Sequence, residues 1–240
     1  MPGDFILVNL AAYKIKTPHE LPLIGAPVRR INFFETGKPR LNDLVVFRLP
    51  AIDNDISPYS NSNIVKRIIA GPSDTVQIID KKIFINGREL LLPSTVNRSF
   101  DKIKNKGKED ENIFLPGTGW NSDNYGPLVV PSKGDTIKIN KGNIYKWKNL
   151  IVYEYRRKVI REEGSVITID DHPAREYVIQ KDHYFVIGDN FNNSRDSRYF
   201  GFINEDMIIG KVMFIYWSID PFSGIRWDRI FNLMLSGVNP

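Results

Sequence analysis

Two short stretches of this sequence hold residue types whose spacing suggests chemistry. In "NSNIVKRIIAGPSD", 61–74, an aliphatic run carries Lys66 and Arg67 at its centre. On a strand, alternate side chains share a face, which puts Ile64, Lys66, Ile68 and Ala70 on one side and Val65, Arg67 and Ile69 on the other. Whichever face is buried carries a cation among aliphatics. Such cations are rarely buried unless paired or snorkelling, so one reading is an edge strand whose long stems reach water. The other is a lysine kept from water on purpose, since desolvation disfavours a charged amine. The second stretch is "YFVIGDNFNNSRDSRYFGF", 184–202, where an apolar run ends at Gly188 and Asp189, Ser194, Asp196, Ser197 and Arg198 follow in close order. A plain surface turn is one reading. An ordinary hairpin, however, needs only a few residues. An ion pair between Asp196 and Arg198 would fix the loop's shape and let Ser194 offer its hydroxyl inward. Structured polar loops on a β scaffold are where sites tend to be built.

The elements that must position these residues read almost wholly as strands. "DFILVNL", "NDLVVFRLP", "NIVKRIIA", "TVQII", "NLIVYEYRRKVI", "SVITI", "REYVIQ", "HYFVIGDN" and "MIIGKVMFIYWSI" are rich in Val, Ile and Phe and bounded by turn formers. In "KKIFINGREL", Asn86-Gly87 sits between two such runs, a strong hairpin signal. The helical candidates are short: "NEDMIIG", 204–210, and "RWDRIFNLML", 226–235. Spaced strands with turn signals predict a mainly β fold with several antiparallel sheets. The stretch around 93–127, rich in Gly, Pro, Asn and Lys, reads as an elaboration on that scaffold, and "DKIKNKGKEDE", 101–111, as a solvated loop.

Composition narrows the classes. The 240 residues, 42% hydrophobic and 25% charged, suffice for one large or two small globular domains. The net charge of +5 is compatible with nucleic acid or an anionic membrane surface. The basic residues are nevertheless scattered among acids, which disfavours a nucleic-acid partner. There are no cysteines, so disulfides and thiolate metal sites are excluded, and His19, His172 and His183 lack ligand spacing. No metal or cofactor is expected. No run approaches the roughly 18 apolar residues of a membrane span, and no leader opens the chain. The abrupt opening "MPGDFILVNL", strand-like by its fifth residue, suggests that a segment upstream is missing.

Three blocks, in order, resemble the type I signal peptidases, membrane-bound serine proteases that remove leader peptides from exported proteins. "GDFILVN", 3–9, resembles the strand after the family's nucleophile motif. "IVKRIIAGPSDTV", 64–76, resembles its catalytic-lysine block, and "GDNFNNSRDSRYFG", 188–201, its Gly-Asp-Asn…Ser-x-Asp-Ser-Arg signature. "LNDLVVFRLP" fits the preceding strand, and "WNSDNYGPLVVPSKGD" an insertion of some bacterial members. The resemblance implies an antiparallel β catalytic domain of signal-peptidase type from 3–80 plus 183–225, an inserted second β-domain over 81–182, and a C-terminal tail over 226–240, with few short helices. It implies Lys66 as general base and Ser194 as the serine that orients it. Asp196 and Arg198 fall on the structural pair, and Gly188 and Asp189 on the start of that loop. Asn63, Ile64 and Val65 fall on one wall of the substrate cleft, and Ile6 on the pocket for a small side chain. Phe191 departs from the pattern, standing where many members carry Arg.

The resemblance also accounts for a lysine placed among aliphatics. A Ser–Lys dyad needs a neutral amine, so a base working near about pH 7–8 must lose roughly 4 kcal/mol of proton affinity relative to free lysine at about 10.4. Ile64 and Ile68 are available to supply it. The family's Ser-Met-x-Pro-Thr-Leu-type motif, however, has no counterpart before Gly3, and Pro2 is too close to be its proline. Residues 1–240 alone are therefore expected to be inactive, with the nucleophile and a membrane anchor further upstream. Ser57, Ser60 and Ser62 lack the family's context as substitutes. The partners implied are signal peptides of exported preproteins and the membrane surface, with the catalytic domain on the extracytoplasmic face of the cell membrane. Trp217, Phe222, Trp227, Phe231, Leu233 and Leu235 are candidates to rest on headgroups, or else to pack on the core. The rival readings are a non-catalytic relative that binds peptides or membrane partners, a self-cleaving repressor protease and a nucleic-acid-binding β-module. The repressor protease would bring a helix-turn-helix and a cleavable linker that are not visible here. The β-module would need a basic, aromatic-lined face.

Overall fold

A computed structural model describes residues 3–16, 32–49, 62–93, 96–154, 160–164, 166–220 and 222–231. In chain order the strands are β1 (Asp4–Asn9), β2 (Lys14–Lys16), β3 (Asn32–Glu35), β4 (Leu44–Arg48), β5 (Asn63–Ala70), β6 (Thr75–Ile79), β7 (Lys82–Ile85), β8 (Arg88–Glu89), β9 (Tyr125–Val129) and β10 (Thr136–Lys138). Helix α1 (Ile144–Glu154) follows, then β11 (Ile160–Glu163), β12 (Val166–Ile169), β13 (His172–Pro173), β14 (Glu176–Val178) and β15 (His183–Ile187). A single helical turn, α2 (Ser197–Phe200), precedes β16 (Ile203–Asn204), β17 (Ile208–Asp220) and β18 (Gly224–Ile225).

The architecture is mainly antiparallel β. A seven-stranded sheet runs β1-β17-β4-β5-β15-β16, with β18 added on β17. Its strands come from 4–70 and 183–225. A four-stranded sheet runs β8-β7-β6-β9, and smaller sheets pair β10 with β14, β2 with β3, and β11-β12-β13. Sheet membership changes between Ala70 and Thr75, so β6 joins the second sheet rather than the first, a few residues before the expected boundary at 80. The Asn86-Gly87 turn forms as anticipated, both residues having positive φ of 52° and 79° between β7 and β8.

Two local expectations are overturned. "NEDMIIG" is a turn between two strands, not a helix. The Asn204 side chain accepts hydrogen bonds from the Asp206 and Met207 amides, ending β16, and Ile208 then pairs with Phe47 of β4. Conversely, the first half of "NLIVYEYRRKVI" belongs to α1. Ile144, Leu150, Ile151 and Glu154 are buried along one side of that helix, an i, i+3, i+4 spacing that tertiary packing favoured over the β preference of "LIVY". Trp227–Arg229 makes one 3₁₀ turn, and 232–235 lie outside the described residues, as do His19, Ser57 and Ser60. Among the described residues no helix is long and apolar enough to cross a membrane.

The core divides into clusters that bear on β5 from both sides. One holds Val45, Phe47, Ile64, Ile68, Tyr184 and Val186. Another holds Leu44, Val46, Val212 and Ile215 with Ile6 and Val8 packed against it. A third and larger one joins Ile69 and Ala70 to the second sheet, α1, Phe191 and Phe202. β5 is thus a central strand between β4 and β15, not an edge, and its lysine cannot simply lean out past the sheet's rim.

Candidate active site

Lys66 lies opposite Val45 of β4, two residues before Ile68, which pairs with Val186 of β15. The strand β15 runs straight into the polar loop, so one ladder sets the loop's origin relative to the lysine. The loop folds back through a 3₁₀ turn at Phe191–Asn193 and brings Ser194 over the strand. Lys66 Nζ donates to Ser194 Oγ at 2.9 Å. Burial pushes the Lys66 ammonium below its ordinary 10.5. The Asp196 carboxylate works against that shift, the Arg198 guanidinium works with it, and Asp189 opposes it more weakly. Ile64 and Ile68, 8% and 1% exposed on the same strand face, are part of the apolar wall.

Gly188 is required here by proximity, not by backbone angle. A Cβ at this position would lie 2.1 Å from Ser194 Oγ, 2.7 Å from Ser194 Cβ and 3.1 Å from Lys66 Nζ. The serine sits directly on the glycine Cα, where no larger residue leaves room.

Two carboxylate–guanidinium pairs hold this arrangement. Asp196, fully buried, takes Arg198 Nε and Nη2 at 2.8 Å each and also accepts the Gly188 amide at 3.1 Å. It caps α2 as well, accepting the Arg198 amide. Arg198 also donates to the carbonyls of Ser122 at 3.0 Å and Phe191 at 2.9 Å. The Phe191 ring lies 4.2 Å from the Arg198 guanidinium carbon and stacks against this buried cation. The second pair was not anticipated. Arg67, 2% exposed, binds Asp189 through Nε at 2.8 Å and Nη2 at 2.7 Å, and donates Nη1 to the Asn42 carbonyl at 2.7 Å. The signal was present in the sequence as a second cation, on the opposite strand face from Lys66. Ser197 is spent on structure, its Oγ accepting the Val186 amide at 2.9 Å.

Lys66, Gly188, Ser194, Asp196 and Arg198 thus converge. The residues matched to the cleft divide differently. Ile64 is buried on the lysine's face. Val65 pairs with Val46, a member of the cluster against which Ile6 packs, so Ile6 and Val65 share the opposite face. Asn63 is exposed at the start of β5 and accepts both Nε and Nη2 of Arg48, at 3.2 and 2.8 Å. No group of three or more His, Asp or Glu side chains among the described residues could hold a metal ion.

Taken as a whole, the chain is similar to known proteins. The profile of the family "Signal peptidase, peptidase S26" matches residues 1–217. A signal peptidase I of Buchnera aphidicola subsp. Baizongia pistaciae is 32% identical over 97% of this chain and 72% of its own length. One from Pseudomonas aeruginosa is 30% identical over 90% of this chain and 59% of its own. A crystal structure of a signal peptidase I from Enterococcus faecalis V583 is 21% identical, with a TM-score of 0.37, over 73% of this chain and 97% of that one.

Proposed function

Because this chain belongs to the signal peptidase family, peptidase S26, we propose that it is the catalytic body of a type I signal peptidase working through a Ser–Lys dyad with Lys66 as general base. The observation that carries this reading is the desolvated Lys66 amine held 2.9 Å from Ser194. A half-buried amine that is easier to deprotonate, with its direction fixed by a hydroxyl, is what proton abstraction from a second serine requires. Ser194 suits an orienting role better than an attacking one, since Gly188 covers it on one side and Lys66 on another.

In this reading a serine of the Ser-Met type attacks the carbonyl after a small residue. Lys66 takes the hydroxyl proton and returns it to the leaving amine, and water then hydrolyses the ester. The reading needs no metal or organic cofactor. The substrates are signal peptides of exported preproteins, with small side chains one and three residues before the cut. They bind extended along a sheet edge. Residues 1–240 contain no Ser-Met pair, and we propose that they do not cleave unless that motif is supplied. The setting is the extracytoplasmic face of the cell membrane. Contact with a membrane surface is supported by a run of exposed apolar side chains on β1, β17 and the segment after them: Phe5, Leu7, Trp217, Phe222, Trp227 and Phe231.

The test is to join a segment bearing the Ser-Met-x-Pro-Thr-Leu motif ahead of Gly3 and to incubate the product with a preprotein carrying an Ala-x-Ala site. Cleavage after the second Ala, abolished by Lys66→Met, is expected, with none from residues 1–240 alone. Cleavage that persists in Lys66→Met would remove the lysine from the mechanism. Tight peptide binding without cleavage, once the motif is present, would favour a non-catalytic relative.

A further inference from the structure

The segment between β8 and β9, which the sequence presents as an ornament, is hydrogen-bonded along the outside of the site loop. Asn97 forms a parallel bridge with Asn190: its amide donates to the Asp189 carbonyl at 2.7 Å, and its carbonyl accepts the Phe191 amide at 3.0 Å. Further on, the Phe114 amide donates to the Arg198 carbonyl at 2.7 Å and the Ser122 carbonyl receives Arg198 Nη1. The site loop is therefore held from within by Arg67 and Arg198 and from without by residues 97–122.

A buried lysine that the mechanism does not use is hydrogen-bonded to this outer segment. Lys81, 4% exposed, occupies the tight turn from β6 to β7 with a left-handed φ of 68°. Its Nζ donates to the Ser99 carbonyl at 2.7 Å and lies 3.9 Å from the Asp123 carboxylate, while its own carbonyl accepts Arg98 Nη1 at 2.8 Å. Asp123 in turn accepts the Lys104 amide at 2.9 Å. The Ser99 carbonyl also accepts Asn192 Nδ2 of the site loop at 3.2 Å. One carbonyl thus joins the buried lysine to the loop that presents Ser194. Burying a lysine is costly unless its charge is answered, and the partners here all belong to the outer segment or its anchor.

We propose that Lys81 is a positioning residue, whose ammonium pins residues 97–99 and through them holds the 189–194 loop so that Ser194 stays on Lys66. This rests on the reading of Lys66 as the base, and the experiment separates the two. In residues 1–240, Lys81→Met keeps the length and apolar stem of the side chain and removes its three donors. Asn192→Ala cuts the same link from the loop side without touching the buried turn. Amide hydrogen exchange is followed over 189–194, with β17 as internal control, and the titration of Lys66 is followed by pH-dependent acylation of its amine.

The expected result for Lys81→Met is exchange at least about tenfold faster over 189–194 with β17 unchanged, as for local opening. The Lys66 midpoint should rise by about half a pH unit or more as water reaches it. Asn192→Ala should move both in the same direction by less. Unchanged exchange over 189–194 in both variants overturns the proposal. So does exchange that quickens equally in β17, which would make Lys81 a general stabiliser; if Lys81→Met does not fold, the Asn192→Ala result decides. If Lys66 in the unaltered chain titrates at its ordinary value, the base reading fails, while the exchange comparison still decides whether the brace exists.

Discussion

Replacing Gly188 with alanine adds one methyl group at the tightest point of the site. The new carbon would fall 2.1 Å from Ser194 Oγ and 2.7 Å from its Cβ. Ordinary contact needs more than about 3.4 Å, so Ser194 must retreat by roughly 1 Å or more. It cannot retreat freely, because Asp196, two residues on, is tied to the Gly188 amide and to Arg198. The 2.9 Å bond to Lys66 is then the contact that gives way. A misplacement of about 1 Å in a catalytic group costs about 10²-fold in rate. Because Gly188 has no left-handed φ, alanine tolerates the backbone there. The stability cost is therefore overpacking, about 1–3 kcal/mol, partly offset by about 0.4–1 kcal/mol from a less flexible unfolded chain. The expectation for a chain carrying the Ser-Met motif is a kcat lower by about 100-fold with KM little changed and a Tm lower by only a few degrees. Gly71→Ala is the matched control, since its nearest neighbour would lie at 3.8 Å. A kcat within about threefold of the parent, in a Gly188→Ala protein that folds normally, would refute the argument that the Lys66–Ser194 contact governs the chemistry.

Other perturbations test the same arrangement from different sides. Lys66→Met should remove activity by about 10²–10⁴-fold or more while raising Tm at neutral pH. The sign follows from burial. The folded state holds Lys66 below its ordinary 10.5, so the unfolded chain binds more protons between the two values and folding is penalised below them. The gain in Tm should therefore shrink as pH climbs toward 10.5. Arg198→Met leaves the Asp196 carboxylate buried without its partner and should cost about 3–5 kcal/mol, read as a shift in the denaturant midpoint. His183, 1% exposed and edge-on to Phe202, has its proton affinity lowered by burial from 6.5 to about 4. Stability from keeping it neutral is complete above pH 6.5 and is lost as pH falls toward 4, by about 3 kcal/mol at most. His183→Gln should flatten that part of the stability–pH curve. Finally, Trp227→Ser together with Phe222→Ser should weaken co-sedimentation with anionic lipid vesicles severalfold, whereas equal binding would separate the exposed aromatic face from the membrane.

The strands were legible because a half-buried pleated surface selects β-branched and aromatic residues locally, and turns such as Asn86-Gly87 declare themselves by the backbone angles they need. Legibility failed where distant packing outweighed local preference. α1 is helical because Ile144, Leu150 and Ile151 meet an apolar wall assembled from other parts of the chain. "NEDMIIG" turns and then enters β17 at Ile208 because that strand is claimed by β4 on one side and β1 on the other.

The sequence by itself determined that an amine sits among aliphatics in one strand and that a polar loop follows another, since both facts are matters of residue type and local order. Only the tertiary structure decided that β5 and β15 are neighbours, that Arg67 is spent on Asp189, and that a glycine admits Ser194 to the lysine. It alone decided that Lys81, 15 positions along the chain, is buried behind the same loop. The reason is physical. Spacing along a chain fixes which face a side chain occupies, but the partner that answers its charge comes from the register of another strand. That register is set by the burial of the whole sheet.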